Sequence, residues 1–131
     1  MIAVGLNTLR KNIEIARNKA LLAFGEYVVT LWMWWVNNNK LEDHHIIAKT
    51  SPKAAQARNI FVNKYRHNIN SQINRASIKY RLHKHLHNDV YYGAVNGYIV
   101  EGDNRGGESL MLIHLAEIKT ALLTLSAALI F

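Results

Sequence analysis

His44 and His45 stand side by side, Asn74 follows, and His83 and His87 are separated by three residues. Imidazoles in such a set can bind a metal ion or exchange a proton near neutral pH, because their unperturbed pKa is about 6.5. On a helix, side chains at i and i+4 lie roughly 5–6 Å apart, so His83 and His87 could hold one cation. A third imidazole from a neighbouring strand would complete a three-histidine site with an open position, as a catalytic metal requires. His44 or His45 can supply it. Adjacent strand residues point to opposite sides, so only one of the pair readily faces the ion and the other is left for proton transfer. Taken singly, a HisHis pair or an H-x3-H is more often structural than functional, and it is the joint set that points to chemistry. The chain has no cysteine, which excludes disulfides and thiolate metal sites and leaves histidine and carboxylate as the ligand types.

The surroundings are basic. Residues 38–88 carry ten Lys or Arg against Glu42 and Asp43, a local charge of +8, compared with +2 over residues 1–37 and −3 over residues 89–131. A charge run alone usually marks a solvated face. Coinciding with the histidines, it marks a place where a polyanion would be drawn to the groups that could act on it, which points to phosphodiester chemistry.

The rest of the chain must position this stretch. With 131 residues, half of them hydrophobic and only one proline, it is expected to form one domain of high helix content. Leu6, Leu9, Ile13, Ala16, Ala20, Ala23 and Tyr27 recur every three to four residues, predicting an amphipathic helix over residues 7–36 that the asparagines at 37–39 stop. Trp32, Trp34 and Trp35 near its end are expected in a core before a partner surface or a membrane-interface anchor. Residues 44–48 read as a strand end, and Ser51 with Pro52 starts a helix to about residue 65. Residues 68–71 form a turn, and alternation of Ala76, Ile78, Tyr80 and Leu82 predicts a second strand. From His83 the spacing becomes helical through His87, Tyr91 and Val95 to about residue 99. A loop over residues 101–109, with three glycines, precedes a last helix over residues 110–131. The apolar runs at 20–36 and 110–131 approach the length of a membrane span, but each has a charge near its middle costing about 2.5–3.5 kcal/mol in a bilayer. Buried helices, with no stable membrane span, are therefore expected.

A resemblance enters on these residues. The combination of His44-His45, Asn74-x8-His83 and His83-x3-His87 resembles the HNH, or ββα-metal, superfamily of endonucleases, and most closely its AHH branch among bacterial polymorphic toxins. The Asn-x8-His-x3-His tail is also similar to that of the nuclease bacteriocins. Ala54, Ala57 and Arg58, the Ile69-Asn70 turn, and Tyr91 and Val95 extend the match over residues 42–99. Two positions depart from the pattern: Asp43 replaces a small residue, and Arg75 replaces the glycine after Asn74.

The resemblance implies a small ββα-metal motif, a short hairpin plus helix over residues 42–99; packed among the long helices that periodicity predicts at 1–37 and 110–131, it makes the expected fold α+β and mostly helical. It implies that His44, His83 and His87 bind one divalent ion, Mg, Mn, Ni or Zn. His45 would be the general base and Asn74 would orient the loop carrying it. Arg75, Lys79, Arg81 and Lys84 would contact the nucleic-acid backbone without reading sequence, and His85 would be a surface residue or a phosphate contact. The expected activity is that of a sequence-tolerant endonuclease of double-stranded DNA, an antibacterial toxin matched by an immunity protein. Such a protein is expected in the cytoplasm, with export to a target cell; no signal peptide is recognised. The other readings are an RNase, a nucleic-acid-binding module with a structural metal, and a membrane-active helical protein built on the tryptophan-rich first helix.

Overall fold

The computed structural model describes residues 2–129; positions 1, 130 and 131 lie outside it. The fold is α+β and mostly helical, with one small two-stranded antiparallel sheet. The chain divides into two units, Met1–Asn37 and Asn38–Phe131.

The first unit consists of helix α1, Ile2–Asn39, up to Asn37. The run from 20 to 36 contains no proline and a single glycine, Gly25, so nothing in it interrupts the hydrogen-bond ladder. The helix continues through the asparagines expected to end it, because asparagine only mildly disfavours a helix interior. It yields at Lys40, whose carbonyl instead accepts from Tyr80 N at 2.9 Å. The expected amphipathic packing is not what α1 shows. Leu9, Ile13, Leu22 and Phe24 are exposed, and Trp32, Trp34 and Trp35, expected in a core, are 63, 47 and 40% exposed. A single helix has no second element within its own unit to cover them, although Trp32 and Trp35 stack at 5.7 Å. The side chains of Leu6 and Tyr27, two positions of the predicted stripe, lie outside the described residues.

The second unit contains the site. Strand β1, Leu41–His45, pairs antiparallel with β2, Arg75–Lys79, in a register that sets His44 opposite Ala76 and His45 opposite Arg75. Both strands begin earlier than the alternation predicts, and Tyr80 and Leu82 leave β2 for the short helix α3, Tyr80–His83. Between the strands, Ser51 accepts a bond from Lys53 N and Pro52 occupies the first helical position, starting a 3-10 turn at Pro52–Ala54. This turn runs into α2, Ala55–Arg58, and a wider π turn, Asn59–Lys64. Arg66, at φ 61°, closes the run: His67 N bonds back to Phe61 O at 3.0 Å, a left-handed C-terminal cap formed without glycine.

Helix α4, Asp89–Ala128, is capped by the Asn88 side chain, which accepts from Tyr91 N. The predicted loop over residues 101–109 is helical except at Gly107 (φ 66°, ψ −150°), where α4 bends into two segments. Gly102 lets these segments approach, since a β-carbon there would stand 2.9 Å from His114 Nδ1. His114 donates from Nδ1 to Tyr98 O at 2.7 Å and stacks on the Tyr98 ring at 3.8 Å. The bend brings Val95 and Ile99 from one segment and Met111, Leu115 and Leu122 from the other into one core with Ile46, Ile47, Phe61 and Ile78. Burying one such side chain is worth roughly 1.5–3 kcal/mol, so this core is the platform on which β1 and β2 are held.

Candidate functional site

The pleat sorts the histidine pair. Along β1, His44 is 2% exposed and shares its face with Glu42 and, across the register, with the buried Ala76 and Ile78. His45 lies on the opposite face with Asp43 and, across the register, Arg75. His83 is the last residue of α3, and His87 lies in the irregular segment between α3 and α4. The two are thus not on one helix as their spacing predicts, yet their Nε2 atoms stand 3.1 Å apart. His44 joins them: one ligand atom from each of His44, His83 and His87 falls within 4.8 Å of the others.

For His44 and His83 the outer hydrogen bonds say which ring nitrogen is left free. Tyr91 donates its hydroxyl proton to Ile46 O at 2.9 Å, a carbonyl that can only accept. His44 Nε2 must then donate to Tyr91 Oη at 2.8 Å, which leaves the lone pair on Nδ1. His83 Nδ1 stands 3.3 Å from the Glu42 carboxylate, which accepts from it and leaves the lone pair on Nε2. His87 Nδ1 is 3.1 Å from Tyr92 Oη. If the Tyr92 hydroxyl accepts from Nδ1, the His87 Nε2 lone pair is left for a cation; if it donates to Nδ1, Nε2–H of His87 donates to His83 Nε2. Metal–imidazole bonds of about 2.0–2.1 Å in tetrahedral geometry separate two ligand nitrogens by roughly 3.3 Å, close to the separation found here. Carboxylate and hydroxyl partners behind metal-bound imidazoles are the usual means of fixing their orientation. The group could hold a metal ion.

Burial, followed by the neighbouring His83 and His87, pushes the His44 pKa down to about 3. His44 is therefore neutral, the form that binds metals. Burial also pushes the Tyr91 hydroxyl upward, so it remains a donor. On the other face of β1, the Arg75 guanidinium holds the Asp43 carboxyl below its usual range and accounts for that charge.

His45 donates from Nε2 to Asn70 Oδ1 at 2.8 Å, leaving Nδ1 free to accept a proton. Asn74, fully buried, binds the chain immediately after His45. Its Oδ1 accepts from Ile47 N at 2.8 Å, its Nδ2 donates to Ile47 O at 3.0 Å and Ile69 O at 2.9 Å, and its own carbonyl accepts from Ile46 N at 2.8 Å. The replacement of glycine by Arg75 does not disturb this turn, because Arg75 is already extended strand. His44, His45, His83 and His87 line one cleft of about 280 Å³ with Asp43, Tyr92 and the segment 48–51.

The expected phosphate contacts fare differently. Arg75 is paired with Asp43, and Lys79 ties the end of α4 through Leu129 O. Arg81 buries one guanidinium nitrogen without a partner among the described residues, and Lys84 lies over the Tyr80 ring. None of the four lines the cleft, and His85 is an exposed residue outside it. Sequence reasoning gave no hydrogen-bonding role to Asn70, Tyr91 or Tyr92. For Glu42 a signal existed, since it stands two residues before His44 and strand alternation puts both on one face. Comparison with protein families, with curated proteins and with solved structures finds no match for this chain.

Proposed function

We propose that this chain is a metal-dependent endonuclease of the HNH type, most similar to its AHH branch, which hydrolyses phosphodiester bonds of double-stranded DNA with little sequence preference. The observation that carries the reading is the convergence of the three imidazoles His44, His83 and His87 on one side of a cleft that His45 also lines. His44 Nδ1 and the Nε2 atoms of His83 and His87 would hold the cation, oriented by Tyr91, Glu42 and Tyr92. A divalent ion bound there would stabilise charge on the phosphate and the departing 3′ oxygen.

His45 acts as general base. Its free Nδ1 takes a proton from water while the water oxygen forms a bond to phosphorus, the bond to the 3′ oxygen breaks, and that oxygen is protonated from solvent. Asn70 fixes the tautomer of His45, and Asn74 fixes the backbone on which it sits. The +8 of residues 38–88 draws the polyanion in and is indifferent to base sequence. An activity harmful to the cell that makes it fits a toxin opposed by an immunity protein, and the cleft is the surface such an inhibitor would cover.

Plasmid nicking tests the reading. Supercoiled DNA should be relaxed in Mg²⁺, Mn²⁺, Ni²⁺ or Zn²⁺, and both EDTA and His45→Ala should abolish it. Activity that survives both controls would sink the proposal. A second reading, a nucleic-acid-binding module with a structural metal, is favoured by the irregular 84–88 segment, which an ion on His83 and His87 would fasten to β1. Binding without cleavage, together with unfolding on metal removal, would select it.

A further inference from the structure

The segment 46–51 is held at both ends. Ile46 and Ile47 are fully buried, and Asn74 binds both of their amides and the Ile47 carbonyl. At the other end, Arg58 Nη1 donates to Ala48 O at 2.9 Å and to Ser51 O at 2.8 Å, and Ser51 caps the following turn. Lys49 and Thr50, both exposed, therefore project from a short loop whose flanks are fixed by side-chain to backbone bonds. That loop forms one wall of the cleft lined by His44, His45, His83 and His87.

The other cations nearby are already engaged. Arg75 is paired with Asp43, Lys53 with Asp89, and Arg58 is committed to the loop carbonyls. Lys49 lines the cleft and has neither an ion-pair nor a hydrogen-bond partner among the described residues. A lysine ammonium is a compact point charge on a flexible stem, suited to a phosphate oxygen and unsuited to reading a base edge. A pre-ordered loop also removes part of the ordering cost that a mobile lysine would add to binding.

We infer that Lys49 is the substrate-positioning cation of the cleft, contacting a backbone phosphate of the nucleic acid adjacent to the one that His45 addresses. The inference rests on the proposed nuclease function and replaces Lys79 and Lys84 as the positions where phosphate contact is sought. Arg58 and Asn74 act through it, by holding the loop at either end.

The test measures binding of the full chain carrying His45→Ala, with Zn²⁺ present, to fluorescent DNA duplexes of two unrelated sequences between 50 and 200 mM NaCl. Adding Lys49→Gln should weaken binding equally for both sequences and flatten the slope of log K against log salt by about 0.9, one phosphate contact. Lys49→Arg should restore the slope, and Lys84→Gln should leave it unchanged. Circular dichroism melts establish that each variant is folded. A Lys49→Gln slope equal to that of the parent, or an equal loss from Lys84→Gln, overturns the assignment while leaving the nuclease reading intact. A parent that binds neither duplex, together with a chain carrying His45 that cuts neither, overturns both.

Discussion

Acid should destabilise the metal-free protein through His44 in particular. The ring is 2% exposed, its Nε2–H is committed to Tyr91, and its near neighbours are His83 and His87. Its pKa is therefore about 3 in the fold, against the 6.5 of an ordinary imidazole. Between these values the unfolded chain binds a proton that the folded chain refuses, so stability rises with pH through the window and is lost as pH falls through it. With those two values, the loss from pH 7 is about 0.7 kcal/mol at pH 6 and about 2 kcal/mol at pH 5, a large part of the margin by which domains are stable. Urea unfolding in EDTA at pH 7, 6 and 5 measures it on the full chain. His44→Gln, which keeps a polar side chain of similar size, should remove about 2 kcal/mol of the pH dependence between 7 and 5 whatever it does to stability at pH 7. Equal pH dependence in the two proteins would refute the argument, because the titrating group would then not be His44.

Two further outcomes follow from the hydrogen bonds. Asn74→Ala leaves Ile47 N, Ile47 O and Ile69 O without their side-chain partner, and at about 1–3 kcal/mol for each of the two buried Ile47 groups the loss should be about 2–6 kcal/mol, read as a lower urea midpoint; a loss below about 1 kcal/mol would show that water replaces the amide there. Tyr91→Phe removes the acceptor of His44 Nε2–H and should weaken Ni²⁺ binding by about tenfold or more in calorimetric titrations, whereas unchanged affinity would show that Tyr91 does not select the His44 tautomer.

Residue types and spacing were enough to anticipate the fold class and to single out the histidines that meet, because a mostly helical pattern and a cluster of imidazoles are local properties of the chain. What could not be read is set by pairing at a distance. The face of β1 on which His44 lies depends on its register with β2, and alternation alone separates His44 from His45 without orienting either. Three glycines between residues 101 and 109 look like a loop, yet Gly102 is there for close helix packing and Gly107 for a bend, which only the tertiary contacts reveal. Lys79 and Arg75 look like free cations until the end of α4 and the side chain of Asp43 are brought to them. The tryptophans of α1 followed from a rule about burial that presumes a partner element, and their own unit has none.

The histidine cluster also joins parts of the chain that lie far apart in sequence. Glu42 meets His83 across 41 residues and His44 meets Tyr91 across 47, so neither the histidine cluster nor its outer hydrogen bonds can form before residues 83–91 have been made. Loops of that length close late and only when a core rewards them, and here the core draws residues as distant as Leu122. The three imidazoles can therefore converge only once α4 and the segment before it have packed against the sheet.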